Sequence, residues 1–232
     1  MDVIKIMASG GNLTAGSRPE RNQFGPAELR VAVDEAHRHG LPITAHAHGT
    51  QSIVDAVAAG VDGLEHITFM TEDGVDEIPG GLLERIAEQR IVLGLTLGVV
   101  PIDGPSPIPP GMAARLPAMM ANTRRMYASG AVMIAGTDAG LGPIKPHDVL
   151  RWAIDQLSQH VGLSPLEALR ANTSVAATAC GLGSRKGRVA PGYDADLLVV
   201  DGDPLADLAA LHRIRAVYVR GTEMIPSASV AR

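Results

Sequence analysis

Short apolar runs alternate with helix-patterned stretches along most of this chain. The runs lie around Ile4 and at 42–46, 63–67, 91–99 and 132–137, and the segments between them keep apolar residues at helical spacing. This alternation requires parallel strands joined by helical crossovers, in either an open α/β sheet or a (β/α) barrel. No Gly-x-Gly-x-x-Gly motif follows the first run. Its absence disfavours a dinucleotide-binding fold, so the barrel is the preferred interpretation.

The pattern changes near Gly183. Short alternating segments with Gly, Pro and Asp turns follow, in KGRVAPGYDADLLVVDGDPL and IRAVYVRGTEM. Such segments are typical of antiparallel strands. We therefore expect two parts, with residues 1–182 forming the barrel portion and residues 183–232 forming strands of a small β domain.

Composition excludes several classes of partner. The net charge is −5 and the chain has no run of Lys or Arg, so we expect no nucleic-acid partner. The longest apolar stretch, 91–100, is broken by glycines and is shorter than the roughly 20 residues that span a bilayer, so we expect no membrane partner. The start of the chain lacks a signal-peptide pattern, and the only cysteine, Cys180, is expected to be a small buried residue. These features favour a cytoplasmic location.

Four residues with metal-site chemistry lie at or near the ends of apolar runs: Lys5, His46, His66 and Asp138. Side chains at the carboxyl ends of parallel strands converge on one rim of a barrel. Imidazole nitrogen and carboxylate oxygen are ligands for a divalent metal such as zinc, and a catalytic site also keeps a position open for water. The grouping therefore predicts a metal-centred hydrolase.

Each of these residues also has a simpler interpretation. A single histidine at a strand end is more often a hydrogen-bonded polar residue than a ligand. Asp138 could cap the next helix, although a carboxylate at a buried strand end needs a partner. Lys5 could be an exposed residue near the chain start. The joint placement of the histidines and Asp138 on one rim favours the metal site.

Five motifs occur in an order that resembles the amidohydrolase superfamily, in its imidazolonepropionase-like and Xaa-Pro-dipeptidase-like branch. They are VIKIMASGG, AHAHG, AVAAGVDGLEHI, GTDAG and the tail KGRVAPGYDADLLVVDGDPL with a closing VYVRG. The resemblance covers essentially the whole chain. It implies the C-terminal portion of the family's fold: strands four to eight of a TIM (β/α)8 barrel, followed by strands of a small β-sandwich domain.

The resemblance also implies roles for the four residues. Lys5 would be a carboxylated lysine that bridges two metal ions, and His46 and His66 would be ligands from the fifth and sixth strands. Asp138, on the eighth strand, would be a ligand and the general base toward a metal-activated hydroxide that attacks an amide or ester carbon.

Two further histidines are candidates for contact with substrate. His48 follows His46 by two residues, shares its facing, and could donate to a substrate carbonyl or support its neighbours. His147 lies where a loop enters the helix expected over 145–161, and could contact a substrate carboxylate or carbonyl or be exposed. His212 is expected at the surface. His46 and His48 also form a His-x-His like that of the superfamily's first strand, but the order of the motifs disfavours that register.

The expected function is hydrolysis of amide bonds, such as those of dipeptides, in a small-molecule or peptide substrate. The family's first His-x-His is expected upstream of Met1, so the site would be completed by a missing N-terminal segment or within a homo-oligomer. Two alternatives stay open: an inactive remnant of the fold, and a lactone or phosphotriester hydrolase on the same scaffold.

Overall fold

The computed structural model describes residues 2–12 and 15–224, which form two β-sheets and their helices. The first sheet has five parallel strands paired in chain order. Its strands are β1 (Ile4–Met7), β2 (Ile43–Gly49), β3 (Gly63–Met70), β4 (Val92–Thr96) and β5 (Met133–Gly136). The predicted α/β alternation is confirmed.

Helices connect the parallel strands and continue after β5. The connecting helices are α1 (Pro26–Arg38), α2 (Thr50–Ala59), α3 (Leu82–Gln89) and α4 (Pro110–Ala128). After β5 come α5 (Leu150–Gln156), a π-helical turn (Leu157–Val161), α6 (Pro165–Asn172) and α7 (Ser174–Ala179). Among the described residues, none of these helices combines the length and the apolar character needed to cross a bilayer.

The period of two along β2 separates the faces of the sheet. Ile43, Ala45 and Ala47 are fully buried and belong to the core that the sheet forms with its helices. The helices contribute apolar stripes to the same core, namely Leu29 and Val33 of α1, Ile53 and Val57 of α2, and Leu82 and Ile86 of α3. The alternate residues of β2, including His46 and His48, therefore face away from this layer.

The segment after β5 differs from the prediction. A helix was expected over 145–161, but α5 begins only at Leu150, and the preceding stretch forms turns. The side chain of Lys145 accounts for this, because its ammonium donates to the carbonyls of Thr96 and Thr137 and fixes the loop to the sheet. The tertiary contact therefore overrides a helical pattern in the sequence.

The second sheet is antiparallel, as predicted. Its strands are β6 (Leu197–Val200), β7 (Ile214–Val219) and β8 (Thr222–Met224). Arg220 and Gly221 form the two-residue turn between β7 and β8, and both have positive φ (49° and 78°), as hairpin turns of this length require.

Two details of the C-terminal part correct the sequence interpretation. His212, in the 3-10 helix Leu208–His212, is partly buried: its Nε2 lies 2.5 Å from Asp155 Oδ2 of α5, and its ring packs 4.1 Å from that of Trp152. Cys180 is exposed and lies directly after the end of α7.

A substitution of Gly49, at the end of β2, tests how closely the loop after β1 packs on this strand. A Cβ atom there would lie 2.5 Å from the backbone oxygen of Glu20, so Gly49→Ala must displace that loop. We expect a loss of about 1–3 kcal/mol in the free energy of unfolding, measured by urea denaturation.

Gly111 in α4 provides the matched control, because a Cβ atom there meets nothing within 4 Å. Gly111→Ala should leave stability unchanged or raise it by up to about 1 kcal/mol, since alanine favours the helix. Equal effects of the two substitutions would contradict this account of the packing.

Candidate metal centre

Three imidazoles meet on the face of the parallel sheet that points away from the helices, which is called the inner face below. His46 and His48 belong to β2 and His66 to β3, and their candidate ligand atoms all lie within 4.8 Å of one another. The ring centroids are 4.7 Å apart for His46 and His48, 4.4 Å for His46 and His66, and 4.5 Å for His48 and His66. Such a group could hold a metal ion.

Strand register alone does not bring His66 to this face. In the β2–β3 pairing Glu65 lies level with His46, and His66 follows it, so regular alternation would turn His66 toward the helices. His66 and Ile67 instead have φ values of 74° and 50°. This left-handed backbone costs about 1–3 kcal/mol per non-glycine residue and is concentrated at functional sites.

The contacts of the two side chains confirm that they share one face. Glu65 Oε1 accepts a hydrogen bond from Thr44 Oγ1 at 2.9 Å, and its carboxylate lies over Gly94. His66 Nδ1 lies 2.9 Å from Oγ1 of Thr96, two residues beyond Gly94 on β4. Residues two apart on a strand point the same way, so Glu65 and His66 both face inward.

The hydrogen bond of His46 fixes its tautomer. Its Nε2 lies 3.0 Å from the carbonyl oxygen of Gly10. Because a carbonyl only accepts, Nε2 carries the proton, and in the neutral ring Nδ1 then holds a lone pair.

His48 has the opposite tautomer. The Thr68 hydroxyl donates to the carbonyl of His48 at 3.3 Å, so it accepts from His48 Nδ1–H at 2.9 Å. The remaining nitrogen, Nε2, accepts from the amide of Asn12 at 3.1 Å. The predicted donation from His48 to a substrate carbonyl would require a proton on Nε2, which this arrangement does not place there.

Burial keeps the imidazoles neutral. Burial, with a smaller contribution from the neighbouring imidazoles, lowers the pKa of His48 to about 2 and that of His66 to about 3. Burial also lowers the pKa of His46, against the effect of the Gly10 carbonyl. Metal binding requires unprotonated nitrogen, so at neutral pH these rings are in the form that a divalent ion needs.

Lys5 lies on β1, level with Thr44 of β2, and its side chain is exposed. Its positive charge lowers the pKa of both His46 and His66, so it acts on the cluster. Its assignment as a metal ligand stays a prediction.

Asp138 follows β5 with φ of 52°, and its charge raises the pKa of His46. The expectation of a buried carboxylate was wrong: Asp138 is exposed, because it lies beyond the end of the strand. The alternative that it caps the next helix is excluded, since α5 begins only at Leu150. Its oxygens are not among the ligand atoms within 4.8 Å of one another, so its role as ligand and base stays a prediction.

His147 is exposed, and its ring lies against Gly140, where a Cβ atom would be 3.0 Å from His147 Cε1. It therefore belongs to the same loop as Asp138. Its contact with a substrate stays a prediction.

Sequence reasoning missed Lys145. Its ammonium donates to Thr96 O at 2.8 Å and to Thr137 O at 2.5 Å, and burial lowers its pKa, against the effect of Asp138. The available signal was its rarity, because the chain has three lysines and this one follows the GTDAG motif.

A model of the amidohydrolase family matches residues 1–224 of this sequence. The chain belongs to the amidohydrolase family. The predicted resemblance is confirmed, and with it membership in a family of hydrolytic enzymes.

Three relatives place the chain within this family. It is 30% identical to the ochratoxinase of Aspergillus niger over 224 residues, which cover 93% of this chain and 44% of that protein. It is 30% identical to the imidazolonepropionase of Chromobacterium violaceum over 192 residues, covering 80% and 41%. The crystal structure of a Xaa-Pro dipeptidase with bound methionine matches with a TM-score of 0.78 and 26% identity, covering 96% of this chain and 54% of that one.

The chain therefore spans about half the length of the relatives it matches.

The buried imidazoles predict acid sensitivity. In the unfolded chain a histidine has a pKa of about 6.5, so the unfolded state binds more protons than the folded state below that pH. Proton uptake by the unfolded histidines is small above about pH 6.5, and it destabilises the fold progressively as pH falls toward about 3. With a chelator present, we expect a loss of about 1 kcal/mol per buried imidazole between pH 7 and 5.5.

Urea denaturation at each pH measures this loss. His48→Gln should lose less stability over the interval than the unchanged chain, whereas His160→Gln, at an exposed position, should follow the unchanged chain. The same pH dependence in all three proteins would show that the cluster is not the cause.

Proposed function

We propose that this chain is a metal-dependent hydrolase of amide C–N bonds in small molecules or short peptides. The observation that carries the proposal is the cluster of three neutral imidazoles on β2 and β3, two of them buried and that of His66 partly buried. Three nitrogen donors suit zinc among the divalent metals. The likeness to a Xaa-Pro dipeptidase supports an amide substrate.

The donor set fits such an ion. Nδ1 of His46 holds a lone pair, and Nδ1 of His66 is engaged with Thr96, which leaves its Nε2 for a ligand. These two residues would hold the ion, as the sequence predicts. Nε2 of His48 is also unprotonated and accepts from the amide of Asn12; by exchanging that partner, His48 would serve either as a third nitrogen ligand or as an acceptor for a substrate N–H.

Electrostatics supports the modification of Lys5. Its ammonium lowers the pKa of His46 and His66, and the same field would oppose a bound cation. Carboxylation converts the ammonium into an anionic carbamate and would reverse that effect. The exposed amine is accessible to carbon dioxide. Carboxylated Lys5 would then join His46 and His66 in holding the metal of a complete two-ion site.

A bound divalent ion would lower the pKa of a water molecule and polarise the scissile carbonyl. Asp138 would accept a proton at its carboxylate and deliver it to the leaving nitrogen. Its exposed position after β5 leaves the carboxylate free to approach the substrate. His147, on the same loop, would contact a carboxylate or carbonyl of the substrate.

We also propose the architecture that the family relationship implies. The five parallel strands would be strands four to eight of a TIM barrel, and the antiparallel sheet would belong to a small β-sandwich, with the boundary between residues 182 and 183. Pairing in chain order supports the first assignment. Completion of the site by a further segment or another copy, and a cytoplasmic location, stay predictions.

Zinc binding and hydrolysis test the function together. We expect the chain to bind zinc in calorimetric titration and to hydrolyse members of a panel of dipeptides and N-acyl amino acids. His66→Gln should weaken zinc binding at least about tenfold because it removes a ligand. Asp138→Asn should lower the hydrolysis rate at least about 100-fold, because it removes the proton acceptor.

His160→Gln, remote from the cluster in sequence and exposed, is the control for both measurements. Zinc binding that is indifferent to His66→Gln would refute the metal centre. Zinc binding without turnover of any amide would favour a non-catalytic protein, and turnover of a lactone or phosphotriester alone would favour those substrates.

A further inference from the structure

Lys145 joins the ends of two strands at the point where their backbone ladder stops. The β4–β5 pairing ends with Thr96 opposite Gly136. The ammonium of Lys145 then donates to the carbonyl of Thr96 at 2.8 Å and to that of Thr137 at 2.5 Å. One side chain therefore links a carbonyl at the end of β4 with a carbonyl just beyond the end of β5.

Both carbonyls belong to residues that position the candidate site. Thr96 also holds His66, through its hydroxyl at 2.9 Å from Nδ1. Thr137 immediately precedes Asp138, whose φ of 52° requires a fixed backbone to persist. The ammonium thus contacts Thr96, which holds His66, and Thr137, which is the neighbour of Asp138 in the chain.

The loop that presents Lys145 is itself closed. Gly140 N donates to Lys145 O at 2.7 Å, and an isolated antiparallel bridge joins Leu141 to Lys145. The side chain is partly buried, and it attracts the carboxylate of Asp138. These backbone contacts fix the position of Lys145 and so keep its ammonium near the ends of β4 and β5.

We propose that Lys145 is a positioning residue: it fastens the carboxyl ends of β4 and β5 and thereby orients His66 and Asp138. Its effect on catalysis rests on the proposed function. Its effect on the strand ends is a property of the fold and can be measured without metal or substrate.

Lys186 provides a matched comparison. Its ammonium also has two acceptors, the carboxylates of Asp194 and Asp196, but these lie in the C-terminal part of the chain. Lys186→Met therefore removes a lysine with two partners and leaves the strand ends of the parallel sheet unchanged.

Hydrogen exchange tests the fastening first. The amide of Gly98 is bonded to Gln156 Oε1 and that of Gly140 to the carbonyl of Lys145, so both report on the strand ends. In the metal-free chain, Lys145→Met should speed exchange at these two amides at least about tenfold. Lys186→Met should leave them unchanged, and Lys145→Arg, which keeps the charge and several donors, should restore most of the protection.

Zinc affinity and kinetics test the consequence for the site. Lys145→Met should weaken zinc binding about tenfold and lower kcat more than it changes KM, as expected when supporting residues of a metal site are removed. Thr96→Val removes only the hydroxyl that holds His66. It should weaken zinc binding while Gly98 and Gly140 exchange as before, which provides a second test if Lys145→Met folds poorly.

The outcomes are distinct. Equal exchange in Lys145→Met and Lys186→Met would refute the fastening. Faster exchange with unchanged zinc affinity and kcat would refute the positioning role. Failure of the unchanged chain to bind zinc would refute the proposed function, and the exchange rates would still decide whether Lys145 fastens the strands.

Discussion

The candidate site depends on one break in a regular parallel pair. In-register pairing of β2 with β3 carries Glu65 to the level of His46, and the positive φ at His66 and Ile67 then keeps His66 on the same face. The backbone cost of about 1–3 kcal/mol per residue is offset locally. Ile67 and Phe69 are almost fully buried, and burial of each such side chain stabilises by about 1.5–3 kcal/mol. The core thus holds the irregular backbone that the site requires.

The same burial determines the electrostatics. Burial and their closeness to one another keep the imidazoles of His46, His48 and His66 unprotonated at neutral pH, so each ring has one nitrogen without a proton. The positive charges of Lys5 and Lys145 contribute to the lowered pKa of His66. The carboxylation proposed above would replace the charge of Lys5 with a negative one, and the carboxylates of Asp138 and Glu65 already act on His46 in that sense.

The sequence predicts most of the fold and part of the site. Apolar periodicity locates the five parallel strands and the antiparallel sheet, and the rule that strand ends converge brings His46 and His66 together. The inward orientation of His66 could not be predicted, because it depends on a left-handed backbone that no local residue type requires. Lys145 was missed for a related reason: its segment was interpreted as helical, whereas its contacts with the carbonyls of Thr96 and Thr137 and its backbone bridge to Leu141 hold it in a loop.

Helix α5 shows how the C-terminal part supports the rim. Gln156 accepts from the amide of Gly98 and donates to the carbonyl of Val99, which fixes the chain just beyond β4. The preceding residue, Asp155, binds His212 at 2.5 Å in the segment that leads into β7. Two consecutive side chains therefore link the loop next to Thr96 to the antiparallel sheet. Because the same short helix makes both contacts, it connects the chain beyond β4, next to the strand end that positions His66, with the 3-10 helix that precedes the antiparallel sheet.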